Sequence, residues 1–167
     1  NDIYYWMGSA LEGLNRADEA ARYWEHAGKG ITEPAAAFFY NDQKPDKILY
    51  QGWSLLKLGR REEANERFNT LIDYGDAHIN DQVKIDYFAV SLPDLLIWEE
   101  DLNRRNQIHC RYIKALGLMG LGRMEEARDL LNRVLESDQS HSGARFHLND
   151  VLHEMPGHPA APADQCG

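Results

Sequence analysis

The sequence predicts an all-α fold, a stack of helix-turn-helix pairs. Two observations carry that prediction. Apolar residues recur at helical spacing on both sides of a short turn, and the same two-helix unit occurs three times. The best-defined copy runs from Gln107 to Asp138, where Ile108, Tyr112, Ala115, Leu118 and Met119 mark a first helix and Gly122 stops it. Met124, Ala127, Leu131 and Val134 then resume the period.

Taken in order, the chain opens on a copy of that unit at Ile3 to Ala27, with Tyr4, Met7, Gly8 and Leu11 on one helix and Ala20, Tyr23, Trp24 and Ala27 on the next. A further copy spans Ile48 to Ile72, with Gly52, Leu55, Ala64, Phe68 and Leu71 at matching places and Gly59 at the turn. Gly8, Gly52 and Ala115 are equivalent, as are Ala20, Ala64 and Ala127; small side chains at these points let the paired helices approach closely. The units cover about 2–30, 46–74 and 107–138, with insertions at 31–45 and 75–106.

In the first insertion, Thr32 as cap and Pro34 in a first turn predict a short helix to Tyr40. The second is too apolar for a solvated loop; Ser91 with Asp94 predicts a helix from about Pro93 to Leu102, while Asp81 to Val90 fits helix or strand. Its residues Ile85, Tyr87, Phe88, Leu92, Leu96 and Trp98 are expected to be buried. A last helix over Gly143 to Glu154 caps the open end, giving one helical-repeat domain over 1–154 with the cap at 141–154. Residues 155–167, rich in Pro, Ala and Gly, form a loose tail.

The three units resemble the tetratricopeptide repeat, a helical hairpin of 34 residues with small residues at its eighth and twentieth positions and an aromatic at its twenty-fourth. In the first copy Gly8, Ala20 and Trp24 carry those position numbers directly. The period departs from the family, since Ala20, Ala64 and Ala127 lie 44 and then 63 residues apart, and the excess is the two insertions. The resemblance implies a right-handed stack with the insertions across its concave side. FFYNDQKPD and KIDYFAVSLPDLLIWEEDL further resemble the C-terminal region of large bacterial multidomain proteins whose N-terminal part is an uncharacterised, carbohydrate-related β domain. The chain opens on Asn1 already inside a helical pattern, as a fragment of a larger protein would.

Composition narrows the function. With 27 acidic against 18 basic residues, a net charge of -9 disfavours nucleic acid and anionic membrane surfaces. No apolar run is long enough to span a bilayer. Two cysteines, Cys110 among apolar neighbours and Cys166 in the tail, make a disulfide framework improbable and suggest a reducing, cytoplasmic setting.

Catalytic chemistry finds little support in the residues. The seven histidines form no HxxxH pair and none lies near a CxxC, so neither a metal nor a cofactor is expected. Asp42, Asp86 and Asp94 stand near aromatics, and Glu99, Glu100 and Asp101 lie together, a set that could serve glycoside hydrolysis; a solvated helix face and a helix cap account for the same residues. No nucleophile elbow or phosphate loop is present.

In tetratricopeptide arrays the concave groove is lined by particular positions of each first helix. Here positions 5, 6 and 9 are Tyr5, Trp6 and Ser9, then Leu49, Tyr50 and Trp53, then Tyr112, Ile113 and Leu116. The Lys, Asn and Arg with which chaperone-binding members clamp a terminal carboxylate are absent from all nine, so that mode is disfavoured. The wall is apolar and aromatic instead. It is either a peptide or sugar site, bordered by Tyr5, Trp6, Tyr50 and Trp53 with Asp42 or Asp46 at its rim, or a core filled by the protein's own insertions. The function expected is a non-enzymatic interaction or scaffold module that binds a protein or another domain of the same polypeptide. The alternative is an accessory domain lending aromatic and acidic groups to a carbohydrate-processing site completed elsewhere.

Overall fold

A computed structural model describes residues 1–36, 42–83 and 102–153, with side chains through Asn149. Among these residues there are seven helices and no strand: α1 (Asp2–Gly13), α2 (Ala17–Ala27), α3 (Asp46–Lys57), α4 (Arg61–His78), α5 (Leu102–Gly120), α6 (Met124–Ser137) and α7 (Ser142–His153). Consecutive helices pair as hairpins, and each hairpin packs on the next through α2 and α1 against α3, and α4 against α5. The molecule is an all-α helical-repeat stack, closed by α7 against α6.

Within each hairpin the side chain from the second helix is matched in size to the small residue opposite. A Cβ built on Gly8 would stand 2.4 Å from Nε1 of Trp24, and one on Gly52 would stand 2.2 Å from Cε1 of Phe68. In the third hairpin the equivalent residues are Ala115 and Leu131, both fully buried. An aromatic thus lies over glycine twice, and a smaller Leu accompanies the larger Ala. The glycines admit a ring, where the sequence suggested only close helix approach. Phe68 is held from both sides, because a Cβ at Gly120 of α5 would also lie 2.0 Å from its Cδ1.

The junction between α4 and α5 is closer still. A Cβ at Gly75 would stand 2.7 Å from the Cys110 carbonyl oxygen, and one at Gly117 would stand 2.5 Å from that of Phe68. Backbone meets backbone there, which explains why both elements run beyond their repeat units. α4 continues to His78 and α5 begins at Leu102, so both helices extend into the stretch 75–106 that the sequence assigned to the second insertion. Asn106, buried in the added turn of α5, donates to the carbonyl of His78 at 2.7 Å and ties the two ends.

All three turns share one backbone conformation and one ion pair. Asn15, Gly59 and Gly122 stand at equivalent positions with φ of 58°, 76° and 76°. Glycine takes this left-handed state without cost and Asn tolerates it. The next residue is Arg each time, and it makes a two-pronged pair with the Glu three residues on: Arg16 with Glu19, Arg60 with Glu63, Arg123 with Glu126, at 2.6 to 2.7 Å. These exposed pairs fix the entry into the second helix more than they stabilise the protein.

Pro34 to Ala36, the described part of the short helix expected after Thr32, are not helical. The remainder of that helix, the apolar residues of the second insertion and the tail lie outside the described residues.

Candidate functional site

The first turn of α3 carries the polar centre of the molecule. Asp46 enters there, one residue after Pro45, and its carboxylate oxygen Oδ1 accepts from the Tyr112 hydroxyl of α5 at 2.5 Å and lies 2.9 Å from Nε2 of His147 on α7. A carboxylate only accepts, so Nε2 carries the proton. Burial alone would raise the Asp46 carboxyl, but the hydrogen bond and charge of His147 and the hydroxyl of Tyr112 hold it below its ordinary value. His147 is 1% exposed. Its ring packs among those of Tyr50, Trp53, Tyr112 and Phe146, with centroids 5.1 to 6.5 Å apart. Three helices distant in sequence are thereby joined at one carboxylate.

Asp–His pairing of this kind can orient a catalytic base. Here the imidazole is enclosed by rings and only 1% exposed where it borders the groove, so it acts as a pin that seats α7. His141 completes the seating, since its Nδ1 accepts the Ala144 amide at 3.0 Å and caps the helix. A Cβ at Gly143 would fall 2.3 Å from the Tyr112 hydroxyl, so α7 sits hard against α5.

Beside the pin lies a groove of about 1250 Å³, walled by α1, the 42–47 segment with Tyr50, and α7. The six residues singled out in the sequence divide across it. Trp6, Asp42, Asp46 and Tyr50 line the groove. Tyr5 and Trp53 lie beneath it in the core, at 0% and 2% exposure. Trp6 and Tyr50 meet edge to face at 6.2 Å, and Tyr5 supports both from below, its centroid 5.1 Å and 5.4 Å from theirs. Most of the expected aromatic wall, including Leu49, Tyr112, Ile113 and Leu116, is buried, and α7 is an element that covers it.

Phe146 and His147 of α7 also line the groove, and neither stood out in the sequence as a site residue. The only available signal was the helical period of α7 itself, which puts the two on adjacent faces. Phe146 is 49% exposed, an open aromatic facing the Trp6 side. Charges at the rim are partly spoken for: Lys47 pairs with Asp2 at 2.5 Å. Trp6 is half-buried where it lines the groove.

His109 of α5 has its Nε2 2.8 Å from the Ala35 carbonyl oxygen and draws part of the first insertion onto the stack. Burial lowers its pKa, as it does that of His141. The buried Cys110 thiol is pushed up to about 11 by burial and by Asp81, which suits a packing residue. Among the described residues no group of three or more His, Cys, Asp or Glu could hold a metal ion, and no helix is long and apolar enough to cross a membrane.

Residues 48–74 match the family model of the tetratricopeptide repeat. No solved structure matches the chain. The match runs from Ile48 in α3 to Tyr74 in α4 and takes in the Gly52–Phe68 contact, the Gly59 turn and the Arg60–Glu63 pair. The α3–α4 hairpin at the centre of this stack is therefore the part of the chain that is similar to the tetratricopeptide repeat.

Proposed function

We propose that residues 1–154 form one non-enzymatic interaction module, part of a larger cytoplasmic protein, and that the groove between α1, the start of α3 and α7 takes an extended or helical peptide from a protein partner or from another domain of the same polypeptide. The observation that supports this most is the pairing of groove-lining aromatics with an organised acid: Trp6, Tyr50 and the exposed Phe146 line one groove together with Asp42 and Asp46. Large amphipathic aromatics are the usual anchors of binding surfaces. The volume, about 1250 Å³, exceeds what a small ligand fills and suits several peptide side chains.

Selection of peptides from a displayed random library against the immobilised protein tests the reading. Enriched peptides should lose at least about tenfold in affinity, roughly 1.4 kcal/mol, against Trp6→Ala. Enrichment of peptides indifferent to both Trp6→Ala and Phe146→Ala would overturn the site. A sugar ring can stack on the same aromatics beside the same acids, which is the observation favouring the accessory carbohydrate reading. Binding to an arrayed glycan that Trp6→Ala abolishes, without peptide enrichment, would decide for it.

A further inference from the structure

The α7 wall of the groove begins at a titratable cap. Ser142, Gly143, Phe146 and His147, the α7 residues that line the groove, fall within its first two turns. Those turns start at His141, whose Nδ1 accepts the Ala144 amide at 3.0 Å. An accepting Nδ1 has no proton, so the neutral ring carries its hydrogen on Nε2. A second proton can enter only at Nδ1. It would turn the acceptor of the cap into a donor and set a positive charge at the positive end of the helix dipole.

His141 is half-buried, its ring against Tyr112 of α5 with centroids 4.5 Å apart. Asp138 at the end of α6 and Asp46 of α3 are the acids around it, and His109 faces it from α5. Among the described residues neither acid pairs with it. Asp138 Oδ1 accepts from the Ser140 amide and hydroxyl at 2.9 and 2.7 Å, and Asp46 is taken up by Tyr112 and His147. Arg145, further along α7, donates to the Gln139 carbonyl. Burial outweighs the attraction of the two carboxylates and holds the His141 pKa below its ordinary 6.5. His147, by contrast, donates to Asp46 through Nε2 and keeps that bond with or without a second proton.

We propose that His141 makes the groove acid-sensitive: a proton on its ring removes the cap, loosens the start of α7 and weakens the hold on a bound peptide. This rests on the reading of the groove as a peptide site. A released ring takes up its proton near pH 6.5 and the docked ring only below that value. The closed wall is therefore favoured above this range and loses ground as pH falls through it. Asp46 stays ionised throughout, because its own pKa is held below 3.8.

Two readouts on the full chain separate the switch from the groove assignment. Protection factors of the α7 amides, from hydrogen exchange at about pH 7.5 and about pH 5.5, should fall about threefold to tenfold in acid while those of α4 hold. A library-selected peptide that depends on Trp6 should weaken by a similar factor over the same interval. His141→Asn supplies an amide cap that does not titrate, so in acid it should keep both readouts at their neutral values, and His109→Gln should leave the acid response in place. In the parent, the Ala144 amide resonance should move together with the titration of the His141 ring, a check that needs no substitution. Acid loss of α7 protection with no Trp6-dependent peptide found would uphold the response of α7 and remove the peptide reading. A Trp6-dependent peptide held equally well in acid, α7 protection that does not fall, equal acid loss in His141→Asn, or an Ala144 amide indifferent to the His141 titration would each overturn the proposal.

Discussion

The central hairpin and the capping helix are held by opposite kinds of interaction. Phe68 of α4 is enclosed by Gly52 and Gly120, an apolar fit in which every contact is set by side-chain size. The cap α7 has an apolar seam on α6, but it is placed over the groove by a hydrogen-bonded cluster, Asp46 with Tyr112 and His147, that spans 101 residues of sequence. Size-matched packing fails globally when it is disturbed, since the core is close-packed and one site supports both neighbours. A polar pin fails locally. The part of the molecule that shapes the groove is therefore the part that can loosen while the stack stays folded.

The largest effect should come from emptying the centre. Phe68→Ala is expected to cost about 3 to 5 kcal/mol, read from urea denaturation, because the cavity opens between two hairpins whose backbones are already in contact. Overfilling the same region is next: Gly52→Leu and Gly8→Leu should each cost about 1 to 3 kcal/mol, with Gly52 at the upper end since the Phe68 ring has α5 behind it. A Gly52→Leu protein that denatures like the parent would show that Phe68 can move away, and the contrast with the cap would fail.

At the pin, His147→Phe should cost about 1 to 3 kcal/mol by leaving the Asp46 carboxylate short of a partner. Its loss should appear as fraying of α7, with α3 to α5 unaffected. Because Asp46 is held below its ordinary value, the stability it contributes is present above the usual carboxylate range and is lost as pH falls through the lowered value. The smallest effect belongs to His109. Its lowered pKa means the unfolded chain takes up protons first, so stability should decline as pH drops through about 6.5, and less steeply in His109→Gln, by thermal melts across that range. A slope unchanged by the substitution would assign the effect to another group.

The same contrast explains how much could be read in advance. Helices, hairpins and the positions of Gly8, Gly52, Ala20 and Ala64 are legible because apolar period and residue size are local properties that repeat. The turn signature Leu-Asn/Gly-Arg-x-x-Glu at 14–19, 58–63 and 121–126 was equally available, and only its left-handed middle residue in the Asn15 copy is unexpected. Trp6 and Tyr50 were singled out from repeat positions, with Asp42 and Asp46 added as a rim, and all four line one groove. Which of the aromatics would be covered depended on α7 folding back over α3, and His147 gives no local sign of a carboxylate 101 residues away. Trp53 meets His147 of α7 in the core, while Tyr5 is enclosed by Trp6, Tyr50 and Trp53.

Native-state hydrogen exchange on the parent and on His147→Phe tests most directly whether a polar pin seats the groove wall. Amides of α7 should lose protection in the variant by about tenfold to a hundredfold, the equivalent of about 1 to 3 kcal/mol, while those of α3, α4 and α5 keep theirs. Equal loss across all four helices, or no loss in α7, would contradict the account and return the cap to the same apolar packing that holds the rest of the stack.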